Sequence, residues 1–198
     1  MSANEQQPKL EDHIVCIGMI TAAYAISMLF VNAIVVPVQK LIMPETAVIA
    51  AFLFPGHGVR VLSAWLFGWK SIPYLICATL ITHLLLEGGF TAKISLFYTT
   101  VLVSSVAWVA FLILRTAGIN IEVGERHNTL STWRLLLLVG FISSVLNSIG
   151  HNLILAGVIL PEESAITLVT FMIGDTLGTF FSFIVLMSLF RYFRKLKT

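Results

Sequence analysis

The chain has 198 residues, of which 58% are hydrophobic and 11% charged, with a formal net charge of +2 and a mean hydropathy of +0.94. These values lie far from those of water-soluble domains and place the chain among integral membrane proteins. Apolar runs recur along nearly the whole length, which excludes a soluble catalytic or signalling domain within it, and no basic-aromatic pattern points to nucleic acid.

Residues 1–13 are polar and slightly acidic. They lack the basic start and small-residue cleavage site of a secretory signal, so a cytoplasmic segment followed by a retained helix is expected. A helical span needs about 20 mainly apolar residues. That length rule predicts six spans at roughly 14–36, 46–68, 72–88, 94–116, 132–158 and 164–190, forming one transmembrane domain over 14–190 with a basic cytoplasmic tail at 191–198. The expected fold is therefore all-α, a polytopic membrane helical bundle with both termini cytoplasmic.

In the first span, Thr21, Ala22, Ala23, Ala25 and Ser27 form a group of small residues. They suit internal helix packing or contact with a partner membrane subunit. Cys16 in this span and Cys77 in the third fall in apolar runs and read as reduced packing residues.

The second span is interrupted near its middle by Pro55, Gly56 and Gly58. Such a break frees backbone groups that hydrocarbon cannot satisfy, and a broken helix is predicted there. Arg60 follows five residues after Pro55. A guanidinium at bilayer depth is costly, so it faces the bundle interior and marks a polar site by default.

The third span carries His83 and Glu87 four residues apart near its external end, where Glu87 reads as solvated. Residues 117–131, rich in polar residues and glycine, read as a surface loop. In the fifth span Asn147, Ser148 and His151 share a helix face, with Asn152 beside them. This face either lines a cavity or joins helices. The sixth span contains Gly174-Asp175-Thr176-Leu177-Gly178, in which the two glycines permit close approach of another backbone. Pro55, Gly56, Gly58, Gly174 and Gly178 are the expected close-packing positions.

At about 1.5 Å of rise per residue, His57, Arg60, Asn147 and Asp175 each lie roughly a third to two thirds of the way across. With His151 they form the candidate intramembrane polar cluster. Asp175 is the expected partner of Arg60, because each is expensive alone at that depth; the pair reads either as a register-fixing bridge or as part of a ligand contact. The scattered histidines have no close metal-ligand spacing, and no metal or catalytic residue is assigned. Ser143 and Ser144 lie about two turns, some 10–12 Å, from His151, beyond reach of that base. Ser148 is close enough to it, but no G-x-S-x-G motif accompanies the pair.

Twelve Lys and Arg residues set the orientation. With both termini inside, Lys9, Lys70, Arg115, Arg126, Arg134, Arg191, Arg194, Lys195 and Lys197 are cytoplasmic, Lys40 and Lys93 are external, and Arg60 lies in the membrane. This asymmetry fits a multi-pass protein of a bacterial inner membrane.

Two blocks carry a family resemblance. The first runs from Pro44 to Leu86, with the proline-glycine break, the turn Phe67-Gly68-Trp69-Lys70, Pro73 and a helix containing His83. The second is Ile173-Gly174-Asp175-Thr176-Leu177-Gly178. Together they resemble MASE-type membrane-associated sensor domains, with Pro55, Gly58, Gly174, Asp175 and Gly178 at motif positions; Arg60 and His57 match no family position. The chain is shorter than that family, with six predicted spans against about eight, and lacks its cytoplasmic output domain. In architecture it is also similar to the substrate-binding S components of energy-coupling-factor vitamin transporters.

Three functional readings follow: a non-enzymatic sensor-like or ligand-binding module acting through a separate membrane or cytoplasmic protein, a substrate-binding subunit for a small polar or anionic solute, or a structural accessory subunit of a larger membrane complex. The lipid bilayer is a partner in each. No cofactor is identified from the residues.

Overall fold

The computed structural model describes residues 10–42, 51–87, 94–119, 129–154 and 161–196. Among them the chain is helical throughout its regular structure: α1 (Leu10–Phe30), a π turn (Val31–Val35), α2 (Val36–Ile42), α3 (Gly56–Phe67), a 3₁₀ turn (Gly68–Lys70), α4 (Ser71–Glu87), α5 (Ile94–Thr116), α6 (Thr129–Ile154) and α7 (Pro161–Leu196). Helix is the expected answer for so apolar a chain, because it satisfies each backbone group within its own segment. Five helical stretches are long and apolar enough to cross a membrane: Leu10–Ile42, Gly56–Leu86, Ser95–Thr116, Thr132–Ile154 and Ala165–Lys195.

Several of these run longer than the hydropathy spans. α7 has 36 residues, or about 54 Å at helical rise, against a hydrocarbon core of about 30 Å. The basic residues Arg191, Arg194 and Lys195 thus continue the same helix. The first helix changes to π geometry just before Pro37. Proline has no N–H to donate and its ring crowds the carbonyl four residues earlier, and a widened turn relieves both.

At the predicted break, the part of the second span before residue 51 lies outside the described residues. Residues 51–54 are non-helical, Pro55 is the N-cap, and α3 begins at Gly56. α7 supplies hydrogen-bond partners for this irregular segment. Phe54 N–H donates to the Gly174 carbonyl (3.0 Å), and Ser182 Oγ donates to the Pro55 carbonyl (2.8 Å). Phe52 N–H donates to Gln39 Oε1 of α2 (3.1 Å). The approach is possible only because α7 carries glycine here: a Cβ on Gly174 would stand 1.9 Å from the Ala51 carbonyl oxygen, and one on Gly178 2.0 Å from that of Phe54. The G-x-x-x-G element of α7 therefore receives an extended backbone rather than a second helix.

Gly68 closes α3 at φ +58, a conformation favoured by glycine, and Ser71 Oγ donates to its carbonyl (2.7 Å). The chain reverses there. Val59 and Phe67 of α3 pack on the buried cluster of Ile20, Tyr74, Leu75 and Ala78, as antiparallel neighbours require.

The main apolar core is formed by Val61, Ala64, Ala107, Ala110, Phe111, Leu114, Leu136, Val139 and Phe183. These residues come from the later part of α3, the end of α5, the start of α6 and the later half of α7. Exposed Ile14, Val15, Met19, Ile26 and Leu29 on α1, with Phe97, Val109 and Leu112 on α5, form outer surfaces suited to lipid. The polar residues gather in the other half of the bundle.

Candidate intramembrane site

In that half lies a cavity of about 450 Å³. α1 and the π turn contribute Tyr24, Met28, Val31 and Asn32, and the irregular segment and α3 contribute Phe54 and Arg60. α4 contributes Thr79, Thr82, His83 and Leu86, and its packed neighbour α5 contributes Leu96, Thr99, Thr100 and Val103. Asn147 and His151 of α6 and Phe171 and Asp175 of α7 complete the wall. On α4 and α6 the lining residues fall near the C-terminal end; on α5 and α7 they fall in the N-terminal half. Antiparallel connectivity brings these parts to one side of the bundle.

Of the five residues in the predicted cluster, Arg60, Asn147, His151 and Asp175 line the cavity. His57 lies behind the wall, fully buried, with Nδ1 3.3 Å from Asp175 Oδ2. That contact is close enough for an ion pair but not aligned as a hydrogen bond. Asn147 Nδ2 donates to the same carboxylate oxygen at 2.5 Å.

The expected Arg60–Asp175 pair is not formed. Arg60 Nη2 donates instead to the Tyr24 hydroxyl at 2.6 Å, and its guanidinium carbon lies 5.4 Å from the Tyr24 ring centroid and 5.1 Å from that of Phe54. The reason is positional. His57 and Asn147 already hold Asp175, while Arg60, nearly one turn further along α3, extends toward α1. Two aromatic faces partly compensate the buried charge, each cation–π contact being worth on the order of 2 kcal/mol when desolvated. Among the described residues Arg60 Nε has no hydrogen-bond partner.

Below the cavity runs a hydrogen-bonded layer between α3, α6 and α7. His57 Nε2 and Ser143 Oγ share a hydrogen bond of 2.8 Å, and Ser143 Oγ also reaches the Gly140 carbonyl at 3.0 Å. Ser144 Oγ meets Thr176 Oγ1 at 2.9 Å, joining α6 to α7. Ser143, His57 and Asp175 follow one another in the order of a hydrolase triad, without the aligned His57–Asp175 hydrogen bond that a triad has. Ser143 and His57 have no exposed surface and neither lines the cavity, so the serine oxygen has no route to a substrate there. Ser148 donates to the Ser144 carbonyl (2.7 Å), and His151 Nδ1–H donates to the Asn147 carbonyl (3.0 Å). Each therefore satisfies its own helix instead of forming a Ser148–His151 pair. His151 stacks on Phe171 with ring centroids 4.7 Å apart.

The glycines at the break fit their predicted packing role. A Cβ on Gly58 would meet Ser182 Cβ at 2.5 Å, and one on Gly56 the Phe54 ring at 2.8 Å. The Glu87 side chain and most of the 117–131 loop lie outside the described residues. Among the described residues, no group of three or more His, Cys, Asp or Glu is placed to hold a metal ion. Sequence reasoning missed Tyr24 and the four cavity threonines Thr79, Thr82, Thr99 and Thr100. A lone tyrosine or threonine in an apolar run carries no signal until its neighbours are known.

In comparisons with family models, curated proteins and solved structures, the chain matches none.

Proposed function

We propose that this chain is a non-enzymatic, membrane-embedded binding module: a small solute occupies the intramembrane cavity, and its presence is passed to a separate membrane or cytoplasmic protein. The observation that carries this reading is the convergence of Arg60, Asn147, His151 and Asp175, from three helices, on one cavity of about 450 Å³. That volume lies within the range of small-molecule sites, and buried charge in a membrane protein marks function by default. The two MASE-like blocks agree, since one surrounds the broken segment and the other holds Asp175.

In this reading the chain crosses a bacterial inner membrane six times. The irregular segment and α3 make the second crossing, and both termini are cytoplasmic, as the distribution of Lys and Arg favours. The cavity then sits in the outer half of the bundle. That placement favours a second reading, a solute-binding subunit taking its substrate from outside and working with an energising partner, as the likeness to energy-coupling-factor S components suggests.

The test is gentle purification of the native protein with mass spectrometry of everything that accompanies it, repeated on Asp175→Asn. A small molecule lost or depleted in the variant supports the binding module, and an accompanying ATPase supports the transport reading. A constant set of large membrane subunits with no small molecule in either sample refutes both and favours a structural accessory subunit.

A further inference from the structure

Resting on the binding-module reading, we infer that the cavity's ligand is a small organic monoanion, bound through its carboxylate at Arg60 and through a hydrogen-bonding group at Thr82 and Thr100. Arg60 is 4% exposed, and its hydrogen bond goes to a neutral phenol. Among the described residues no carboxylate pairs with it, because Asp175 is engaged by His57 and Asn147. A guanidinium presents five N–H donors in one plane, with a fork spacing that matches the two oxygens of a carboxylate.

The ligand's charge is limited by Asp175, which lines the same cavity. Arg60 and Asp175 together leave the described Arg, Lys, Asp and Glu side chains of the wall neutral, so a bound monoanion already places one negative charge in excess. A dianion such as phosphate would bring a second charge toward the Asp175 carboxylate without a further described Arg or Lys in the wall to balance it.

The wall made by α4 and α5 narrows the class. Several threonines of this bundle, Thr99, Thr170, Thr176 and Thr179, donate to the carbonyl four residues earlier. Thr82 and Thr100 are 2% and 3% exposed, yet among the described residues their hydroxyls have no hydrogen-bond partner. They stand on the packed neighbours α4 and α5, both in the cavity wall. Buried hydroxyls are normally matched, and a ligand hydroxyl or amide placed between them supplies the match. Met28, Val31, Leu86 and Val103 leave room for a compact apolar body between the two polar ends.

The experiment uses the full chain in lipid nanodiscs, with a panel of monocarboxylates of three to ten carbons, with and without hydroxyl groups. Each is paired with its neutral primary amide, and inorganic phosphate is included. Thermal shift identifies binders and calorimetry gives Kd. The expected result is a hydroxy-monocarboxylate that binds at least tenfold more tightly than its amide. Arg60→Lys, which keeps the charge and loses the fork, weakens it at least tenfold. Thr100→Val, near-isosteric, weakens it severalfold without lowering the stability of the unliganded protein, which separates ligand loss from misfolding. Equal binding of amide and acid, tighter binding of phosphate, or no binding by any carboxylate overturns the assignment. If amides or amines bind and Asp175→Asn abolishes that binding, the binding module stands and the carboxylate falls. If nothing in the panel binds and no small molecule accompanies the native protein, both fall.

Discussion

Replacing Gly178 with alanine tests how the irregular segment before α3 is held. A Cβ there would lie 2.0 Å from the Phe54 oxygen, 2.2 Å from its carbonyl carbon and 2.8 Å from its nitrogen. Close carbon–oxygen contacts normally stop near 3.3–3.6 Å, so the irregular segment must withdraw from α7 by about 1.4 Å. No rotamer change relieves a clash with backbone. Overpacking a tight core costs about 1–3 kcal/mol. The withdrawal also strains the bonds from Phe54 N–H to Gly174 and from Ser182 to Pro55, and each buried group left unmatched adds about 1–3 kcal/mol. A loss of about 4 kcal/mol is expected. Taking the soluble-protein scale of about 2–4 °C per kcal/mol for a chain of this size, the midpoint of thermal unfolding in mild detergent falls by about 8–16 °C. Gly18→Ala is the control: nothing lies within 4 Å of a Cβ at that helical position, so its midpoint stays level or rises. Equal midpoints for the two variants would refute the contact between the break and α7.

Ser182→Ala removes the donor to the Pro55 carbonyl and is expected to destabilise by about 1–3 kcal/mol, read by the same thermal assay; an unchanged midpoint would mean that another group satisfies that carbonyl. Ser143→Ala leaves the fully buried His57 Nε2 without its hydroxyl partner and should cost a similar amount. Consistent with its lack of exposure, Ser143 in the wild-type protein should resist a fluorophosphonate reagent, and a covalent adduct at this residue would restore the hydrolase reading. For orientation, Lys93→Cys in a background lacking Cys16 and Cys77 should react with an impermeant maleimide from the external side of intact cells, and Arg194→Cys only after permeabilisation. The opposite pattern would invert the topology.

Residue chemistry and spacing were sufficient to find helices apolar enough to cross a membrane, the helical fold, the start of α3 after Pro55 and most of the polar residues that share the cavity. Each of these depends on position along the chain, and in a bilayer that position converts almost directly into depth. Which residues meet at a given depth depends also on helix rotation and on which helices are neighbours, and sequence spacing carries neither across helices. Asp175 thus took His57 and Asn147 as partners instead of Arg60, and Arg60 found Tyr24, 36 residues away. Ser143, set aside for its distance from His151, bonds to His57, 86 residues away. The glycines of α7 were legible as a site of close approach, but their partner was not: a non-helical backbone with unsatisfied polar groups can occupy hydrocarbon depth only where another element lies close enough to hydrogen-bond it, and the tertiary structure alone brought α7 there.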